Sequence, residues 1–123
     1  MNAEQVVDAF MAAFDRKDLD GALALVTDDC YYDNVPLGDM RGREKMREFL
    51  TPMMGGNDPV KFDVLRQVAG DKLVMNERID RFVMNGKQVA LPVSGVFEVV
   101  DGKINFWRDY FDKGMFMKAL KGE

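Results

Sequence analysis

The chain has 123 residues, 47% of them hydrophobic and 31% charged, which is typical of one soluble globular domain that we expect to span residues 1–123. Its net charge of −4 gives no support for nucleic-acid binding, and no apolar run is long enough to cross a membrane. Histidine is absent, which excludes Ser-His-Asp catalysis, Cys-His catalysis and imidazole metal sites, so acid–base chemistry would fall to carboxylates, Tyr, Lys or Cys.

The N-terminal part of the chain predicts three helices. Residues 3–15 carry apolar side chains at helical spacing, and a short helix from about 19 to 26 follows Asp18, a residue type suited to an N-cap. A third helix is predicted over roughly 42–53, and "GGNDP" ends it. The start "MNAEQVVDAF" lacks the pattern of a signal peptide, and the single cysteine, Cys30, fits a reducing compartment, so we expect a cytoplasmic protein.

Strands dominate the rest of the chain. "CYYDNV", residues 30–35, predicts a short strand, and "DKGMFMKALKGE" predicts a short closing helix. Between them, turns at "AGD", "NG" and "DG" separate four strands at about 60–69, 72–84, 87–100 and 103–111. Helices followed by an antiparallel meander indicate an α+β domain. Its N-terminal helices would pack on one face of a curved antiparallel sheet and roof the concave side into a pocket.

The strand "VMNERIDRFVM", residues 74–84, has an unusual face. Alternation places Asn76, Arg78 and Asp80 on the same side, between Val74 and Phe82. A solvated face rarely ends in valine and phenylalanine, and a core face rarely carries an arginine and an aspartate. The strand therefore predicts a polar cluster held against an apolar surface.

The turns predict which residues lie beside this cluster. A two-residue turn at 85–86, Asn-Gly, pairs Asp80 with Leu91 and Arg78 with Val93.

The next turn brings in a second carboxylate. In "VVDGK", a type I turn with a glycine bulge places Val93 opposite Asp109 and Gly95 opposite Trp107. Arg78 then lies in one row with Val93 and Asp109, within reach of both carboxylates. Without the bulge, Asp109 would lie on the opposite face of the sheet.

Two carboxylates sharing one guanidinium in an apolar pocket are not expected to titrate together. Burial and mutual repulsion raise one pKa, while Arg78 keeps the other group ionised. Asp80 and Asp109 could then supply one acid and one base at the same pH. The alternative is a buried ion-pair network that only stabilises the sheet, and the residues alone favour it for an arbitrary protein.

Three motifs resemble one known family. "YYDNVPLG", "ERIDRF" and "GVFEVVDGKINFWRDYFD" are similar, in order and spacing, to limonene-1,2-epoxide hydrolases over nearly the whole chain. The matching positions are Tyr32 and Asn34, Arg78 and Asp80, and Trp107 and Asp109. The resemblance implies the cone-shaped α+β barrel that also serves ketosteroid isomerases, SnoaL-like polyketide cyclases and scytalone dehydratases.

The resemblance also implies a role for each polar residue. Asp109 is expected to take a proton from a water molecule that Tyr32 and Asn34 hold. Asp80 is expected to protonate the epoxide oxygen as the ring opens, and Arg78 bridges the two aspartates. Apolar lining is expected from Trp107, Leu91, Val93 and Phe111.

The implied reaction adds water to a small apolar or cyclic epoxide in one step and gives a vicinal diol, without a covalent intermediate. Ring strain favours the opening, so neither a metal nor a cofactor is expected to be needed. The partners expected from the resemblance are the epoxide, water and a second copy of the chain, bound through the outer sheet face as a homodimer.

Alternatives remain at the level of the sequence. Tyr31 replaces Tyr32 if the strand register differs, and Asn34 before "VP" could be a turn residue that caps the backbone. A ketosteroid-isomerase-like or cyclase-like enzyme would keep the fold and change the reaction. A non-catalytic binder of a lipophilic molecule would have to bury Arg78 and two aspartates, which costs several kcal/mol unless they are well paired.

Overall fold

Three of the four helices begin at a side-chain cap. The computed structural model describes residues 1–123 and has helices α1 (Ala3–Asp15), α2 (Leu19–Leu23), α3 (Arg43–Met54) and α4 (Lys113–Leu120). Asn2 caps α1 in a reciprocal capping box with Gln5, Asp18 caps α2, and Asp112 caps α4. Each cap supplies an acceptor to a backbone N–H group that has no partner within its helix.

Six strands form one curved sheet, in the spatial order β2-β1-β6-β5-β4-β3. They are β1 (Val26–Asn34), β2 (Gly38–Arg41), β3 (Lys61–Ala69), β4 (Leu73–Met84), β5 (Lys87–Val100) and β6 (Lys103–Tyr110). The predicted α+β architecture is confirmed, although β1 pairs with β6 in parallel, so the sheet is mixed. Strand β2 was not predicted, because its four residues have no alternating apolar pattern.

The hairpin between β4 and β5 has the predicted register. Asp80 pairs with Leu91 and Arg78 pairs with Val93. Alternation along β4 buries its even-numbered residues from Val74 to Phe82, including the predicted polar cluster. Asn85 and Gly86 both adopt positive φ angles, as a two-residue turn between twisted strands requires.

The predicted register of β5 against β6 is wrong by two residues. Gly95, and not Val93, lies opposite Asp109, and Phe97, and not Gly95, lies opposite Trp107. The Asp-Gly turn closes without a bulge. The bulge lies further along β6, at position 105, whose two neighbours pair with consecutive residues of β5. Because a shift of two residues preserves the face, Asp109 still points to the concave side.

The core lies between the concave face of the sheet and helices α1 and α3. Trp107 is at its centre: the indole stacks on Tyr32 with ring centroids 4.0 Å apart and makes a T-shaped contact with Phe10 of α1 at 5.0 Å. Phe97 stacks against the indole from the neighbouring strand, at 5.8 Å. Offset stacks and edge contacts of this kind stabilise a core beyond the area that they bury.

The convex face of the sheet exposes several apolar side chains, among them Val68, Leu73, Met75, Val100 and Tyr110. The homodimer expected through this face stays a prediction. None of the helices combines the length and the apolar character that spanning a bilayer demands.

Candidate active site

Arg78 is the centre of the polar cluster, and none of its side chain is exposed. Its Nε and Nη2 atoms donate to the two oxygens of Asp80, each at 2.9 Å. Its Nη1 and Nη2 atoms donate to Asp109, at 3.2 Å and 2.9 Å. Nη1 also donates to Asn76 Oδ1 at 2.9 Å. These contacts give each of the five guanidinium N–H groups one acceptor, which is the condition for burying the charge at acceptable cost.

Asp109 receives one more hydrogen bond than Asp80. Trp107 Nε1 donates to Asp109 Oδ1 at 2.7 Å, so three donor atoms surround this carboxylate, whereas only Arg78 donates to Asp80. Burial, and next the charge of Asp80, raises the pKa of Asp109 to about 6, although Arg78 and Trp107 oppose the rise. At this pKa Asp109 is mostly ionised above neutral pH and remains a stronger base than an exposed aspartate.

Tyr32 and Asn34 reach the cluster because β1 runs parallel to β6. The pairing places Asn34 beside Asp109 and Tyr32 beside Trp107. Tyr32 Oη donates to Asn34 Oδ1 at 3.4 Å, and the buried Asn34 Nδ2 has no hydrogen-bond partner within the protein. Burial, and next the charge of Asp109, raises the pKa of Tyr32 well above 10, so the phenol stays protonated. The amide donor of Asn34 is therefore available to a small polar molecule next to Asp109.

A cavity of about 260 Å³ opens onto these groups. Fourteen of its seventeen lining residues are hydrophobic, and the three polar ones are Asn34, Asp80 and Asp109. The four predicted lining residues, Trp107, Leu91, Val93 and Phe111, all line the cavity. The C-terminal helix α4 adds Phe116 and Leu120, which the sequence did not indicate. All the polarity of the cavity is therefore concentrated at one site, as in pockets that bind an apolar molecule with one reactive group.

Two further residues of the site were not predicted from the sequence. Asn76 had been placed on the correct face without a role, and it proves to be the third acceptor for Arg78. Gly95 was placed beside the wrong residue, because the register of β6 was wrong. A glycine within an alternating strand marks a close approach to the backbone, and that signal was available in the sequence.

Other candidate groups have no part in the cluster. Burial raises the pKa of the Cys30 thiol to about 12, so the thiol stays protonated and is not a nucleophile. Asp112 is the N-cap of α4 and is not part of the cluster. The chain contains no group of three or more His, Cys, Asp or Glu side chains that could hold a metal ion.

The geometry defines a class of site. Two carboxylates from different strands face one apolar cavity, a buried guanidinium joins them from behind, and a phenol and an amide stand beside one of the two. Such a site can deliver a proton to one atom of a bound molecule and remove a proton from another.

The fold places the chain among α+β proteins of the ketosteroid isomerase type. A protein with this fold from Catenulispora acidiphila DSM 44928 superimposes with a TM-score of 0.80 at 18% identity, covering 93% of this chain and 90% of that one. Within this class, the chain belongs to the limonene-1,2-epoxide hydrolase catalytic domain family, whose model matches residues 1–121. The resemblance inferred from the three motifs is thereby confirmed.

A sequence comparison and a structure comparison, both with epoxide hydrolases of Mycobacterium tuberculosis, agree with this assignment. Epoxide hydrolase EphG of strain ATCC 25618 / H37Rv is 38% identical over 119 residues, which cover 94% of this chain and 78% of that protein. The structure of an LEH-like epoxide hydrolase from the same species superimposes with a TM-score of 0.83 at 36% identity, covering 98% of this chain and 90% of that one.

Proposed function

We propose that the protein is an epoxide hydrolase that adds water to a small apolar or cyclic epoxide and releases a vicinal diol. The observation that carries the proposal is the pair of buried carboxylates, both hydrogen-bonded to Arg78 and both facing one apolar cavity. An apolar body fits the lining, and the epoxide ring would lie at the polar end, between Asp80 and Asp109.

In the proposed reaction, Asp109 is the general base. The water molecule would lie between Asp109, the Tyr32 hydroxyl and the Asn34 amide, and the unpartnered Asn34 Nδ2 supplies a donor to its oxygen. As the water oxygen attacks a ring carbon, its proton passes to Asp109. The raised pKa of Asp109 suits this transfer, since a base with a pKa near the working pH combines ionisation with proton affinity.

Asp80 is the proposed general acid. Attack at the carbon breaks the C–O bond of the ring, and the departing oxygen takes the proton of Asp80 to become the second hydroxyl of the diol. Asp109 accepts hydrogen bonds from three donor atoms and Asp80 from two, which favours the negative charge on Asp109. After the reaction, Asp109 carries a proton and Asp80 a charge, and exchange with solvent restores the pair.

Arg78 has a different part in the proposed reaction, because it does not line the cavity. Its guanidinium contacts the inner side of both carboxylates and stays protonated. Burial lowers the pKa of Arg78, but the charges of Asp109 and Asp80 together raise it by more than burial lowers it. The negative charge moves from one aspartate to the other during the reaction, and Arg78 neutralises it in both positions. The chemistry therefore proceeds without a change in the net charge of the buried cluster.

The test is diol formation in ¹⁸O-labelled water, using limonene oxide and cyclohexene oxide as substrates. Direct attack by water predicts one labelled oxygen in the diol from the first turnover, under single-turnover conditions with excess enzyme. An unlabelled first-turnover diol would show that a protein oxygen attacks the ring and would overturn the proposed mechanism. No turnover on a broad epoxide panel, together with isomerisation of an enone or with binding alone, would replace the proposal by an isomerase or a lipophilic-ligand binder.

A further inference from the structure

One row of residues crosses five strands of the sheet and includes two of the proposed catalytic groups. The pairings place Gln67, Asn76, Gly95, Asp109 and Asn34 side by side, on β3, β4, β5, β6 and β1 in turn. Arg78 belongs to the neighbouring row, opposite Val93, yet its guanidinium donates to two members of this one. The side chain therefore leans over the backbone of the middle strand, at Gly95.

Gly95 provides the space that the guanidinium occupies. A Cβ atom at this position would lie 2.3 Å from Arg78 Nη1, 2.8 Å from Asp109 Oδ1 and 3.1 Å from Asn76 Oδ1. Its φ angle is not among the positive ones, so the missing side chain and not an unusual backbone conformation is what the site requires. Even alanine would force Arg78 away from Asp109.

Asn76 accepts a hydrogen bond from the one guanidinium N–H group of Arg78 that donates to neither carboxylate. Without its oxygen, one N–H group of a fully buried guanidinium would have no acceptor. The guanidinium is planar, so bonds along three of its sides fix both its position and its plane. Asn76 therefore sets the angle at which Arg78 meets Asp80 and Asp109.

The orientation of Asn76 is itself determined from the surface. Asn76 Nδ2 donates to Gln67 Oε1 at 3.1 Å, and Gln67 Nε2 donates to Asp8 Oδ1 of α1 at 2.8 Å. An ionised carboxylate only accepts hydrogen bonds, and a guanidinium only donates them. The amides of Asn76 and Gln67, which lie between Arg78 and Asp8, must therefore each turn the oxygen towards Arg78 and the nitrogen towards Asp8. The chain from Asp8 through Gln67 thus turns the oxygen of Asn76 towards Arg78.

We propose that Asn76 and Gly95 are positioning residues of the site: Asn76 fixes the third side of the Arg78 guanidinium, and Gly95 leaves the space in which it bridges the two aspartates. Neither residue lines the cavity. Their part in catalysis rests on the proposed epoxide hydration, whereas their effect on Arg78 and Asp109 does not.

The first test is the titration of Asp109 in Asn76→Asp, followed by ¹³C NMR of labelled aspartate carboxyl groups. The Asp109 resonance is the one missing from the spectrum of Asp109→Asn. A third carboxylate on Arg78 weakens its hold on Asp109, so we expect the pKa of Asp109 to rise by about one unit. Gln88→Glu, which adds the same charge at an exposed position, should leave that pKa unchanged. An unchanged pKa in Asn76→Asp as well would overturn the role of Asn76.

The second test is turnover by Gly95→Ala. We expect kcat to fall about a hundredfold or more, with a KM close to wild type, because Arg78 moves and the apolar lining does not. Gly70→Ala is the matched control, since a Cβ there meets only the Leu73 carbonyl oxygen at an ordinary 3.8 Å. A folded Gly95→Ala protein with wild-type kcat would overturn the role of Gly95, and if this variant fails to fold, the titration of Asn76→Asp decides the proposal.

The two tests separate this proposal from the proposed function. If the wild-type protein hydrates no epoxide, the reaction is wrong, and the titration still reports whether Asn76 acts on Asp109 through Arg78. Suppose that the wild-type protein is active. If the pH below which its kcat/KM falls rises in Asn76→Asp by as much as the pKa of Asp109 measured by NMR, both proposals are supported. A wild-type protein that is active, with neither quantity altered in Asn76→Asp, would overturn the positioning role alone.

Discussion

Asp80 and Asp109 accept hydrogen bonds from the same guanidinium, and the proposed reaction gives them opposite tasks. Asparagine is nearly isosteric with aspartate, so it keeps the packing of the site while removing the ability to exchange a proton. We expect Asp109→Asn and Asp80→Asn each to lower kcat by about 10³-fold or more, with native circular dichroism. Asp33→Asn, which alters an ion pair with Arg108 outside the cavity, is the control and should retain activity. Wild-type turnover in either active-site variant would remove the mechanism.

The raised pKa of Asp109 sets the pH dependence of the reaction. Because the base must be ionised, kcat/KM should fall as the pH drops through about 6. The measurement is a profile of kcat/KM between pH 4.5 and 9 at constant ionic strength. A kcat/KM that stays constant down to pH 4.5, as expected for a base with the pKa of an ordinary aspartate, about 3.9, would show that the base lacks the raised pKa of Asp109.

At the level of single residues, alternation along two strands was enough to predict the charged cluster. Arg78 and Asp80 share a face of β4 in any register, and Asp109 keeps its face as long as an even number of residues separates the predicted register from the real one. Gly95 and Asn76 were missed because their roles depend on which residue lies opposite which. That information is carried by the position of the β6 bulge, and no turn residue marks it.

At the level of elements, turn chemistry predicted one hairpin and failed for the next. Asn-Gly specifies a two-residue turn, and β4 and β5 pair as expected. Asp101 and Gly102 form the same kind of turn, with φ angles of 52° and 78°, and the bulge follows within the strand. The parallel pairing of β1 with β6 joins segments distant in sequence, and no local pattern specifies it.

The short helix α4 (Lys113–Leu120) closes one end of the cavity and is only partly buried. None of its residues is fully buried, yet Phe116 and Leu120 line the cavity. Removing its N-cap in Asp112→Ala should cost about 1 kcal/mol of helix stability and raise KM about fivefold, with little change in kcat.

The matched control for this prediction is Asp18→Ala. Asp18 caps α2 through the same kind of bond to a backbone N–H group, and it does not line the cavity. A rise in KM in Asp112→Ala alone would show that α4 contributes to substrate binding. An equal rise in both variants would attribute the effect to general destabilisation.

For the whole molecule, the core and the site are parts of one structure. Trp107 stacks on Tyr32 and makes a T-shaped contact with Phe10, and its Nε1 donates to Asp109. The helices that shield this core from water also remove solvent from the carboxylates. The same burial that stabilises the fold therefore raises the pKa of Asp109, and the function is obtained at some expense of stability at neutral pH.

This coupling predicts how the stability of the folded protein depends on pH. The folded-state pKa of Asp109, about 6, lies above its ordinary value of 3.8, so folding favours the protonated form. Its contribution to stability is complete below pH 3.8 and is lost as the pH rises through 6. At about 1.4 kcal/mol per pH unit, the loss amounts to about 3 kcal/mol.

Other carboxylates titrate in the same range, so the measurement must isolate this one. Asp109→Asn cannot ionise at this position, and its free energy of unfolding in urea serves as the reference at each pH. We expect the stability of the wild-type protein relative to Asp109→Asn to decrease by about 2.5 kcal/mol between pH 4 and pH 8, with most of the change between pH 4 and pH 6. A difference that grows with pH would mean that Arg78 and Trp107 outweigh burial, and one that stays constant would mean that they cancel its effect. The base would then have to work with the proton affinity of an ordinary aspartate.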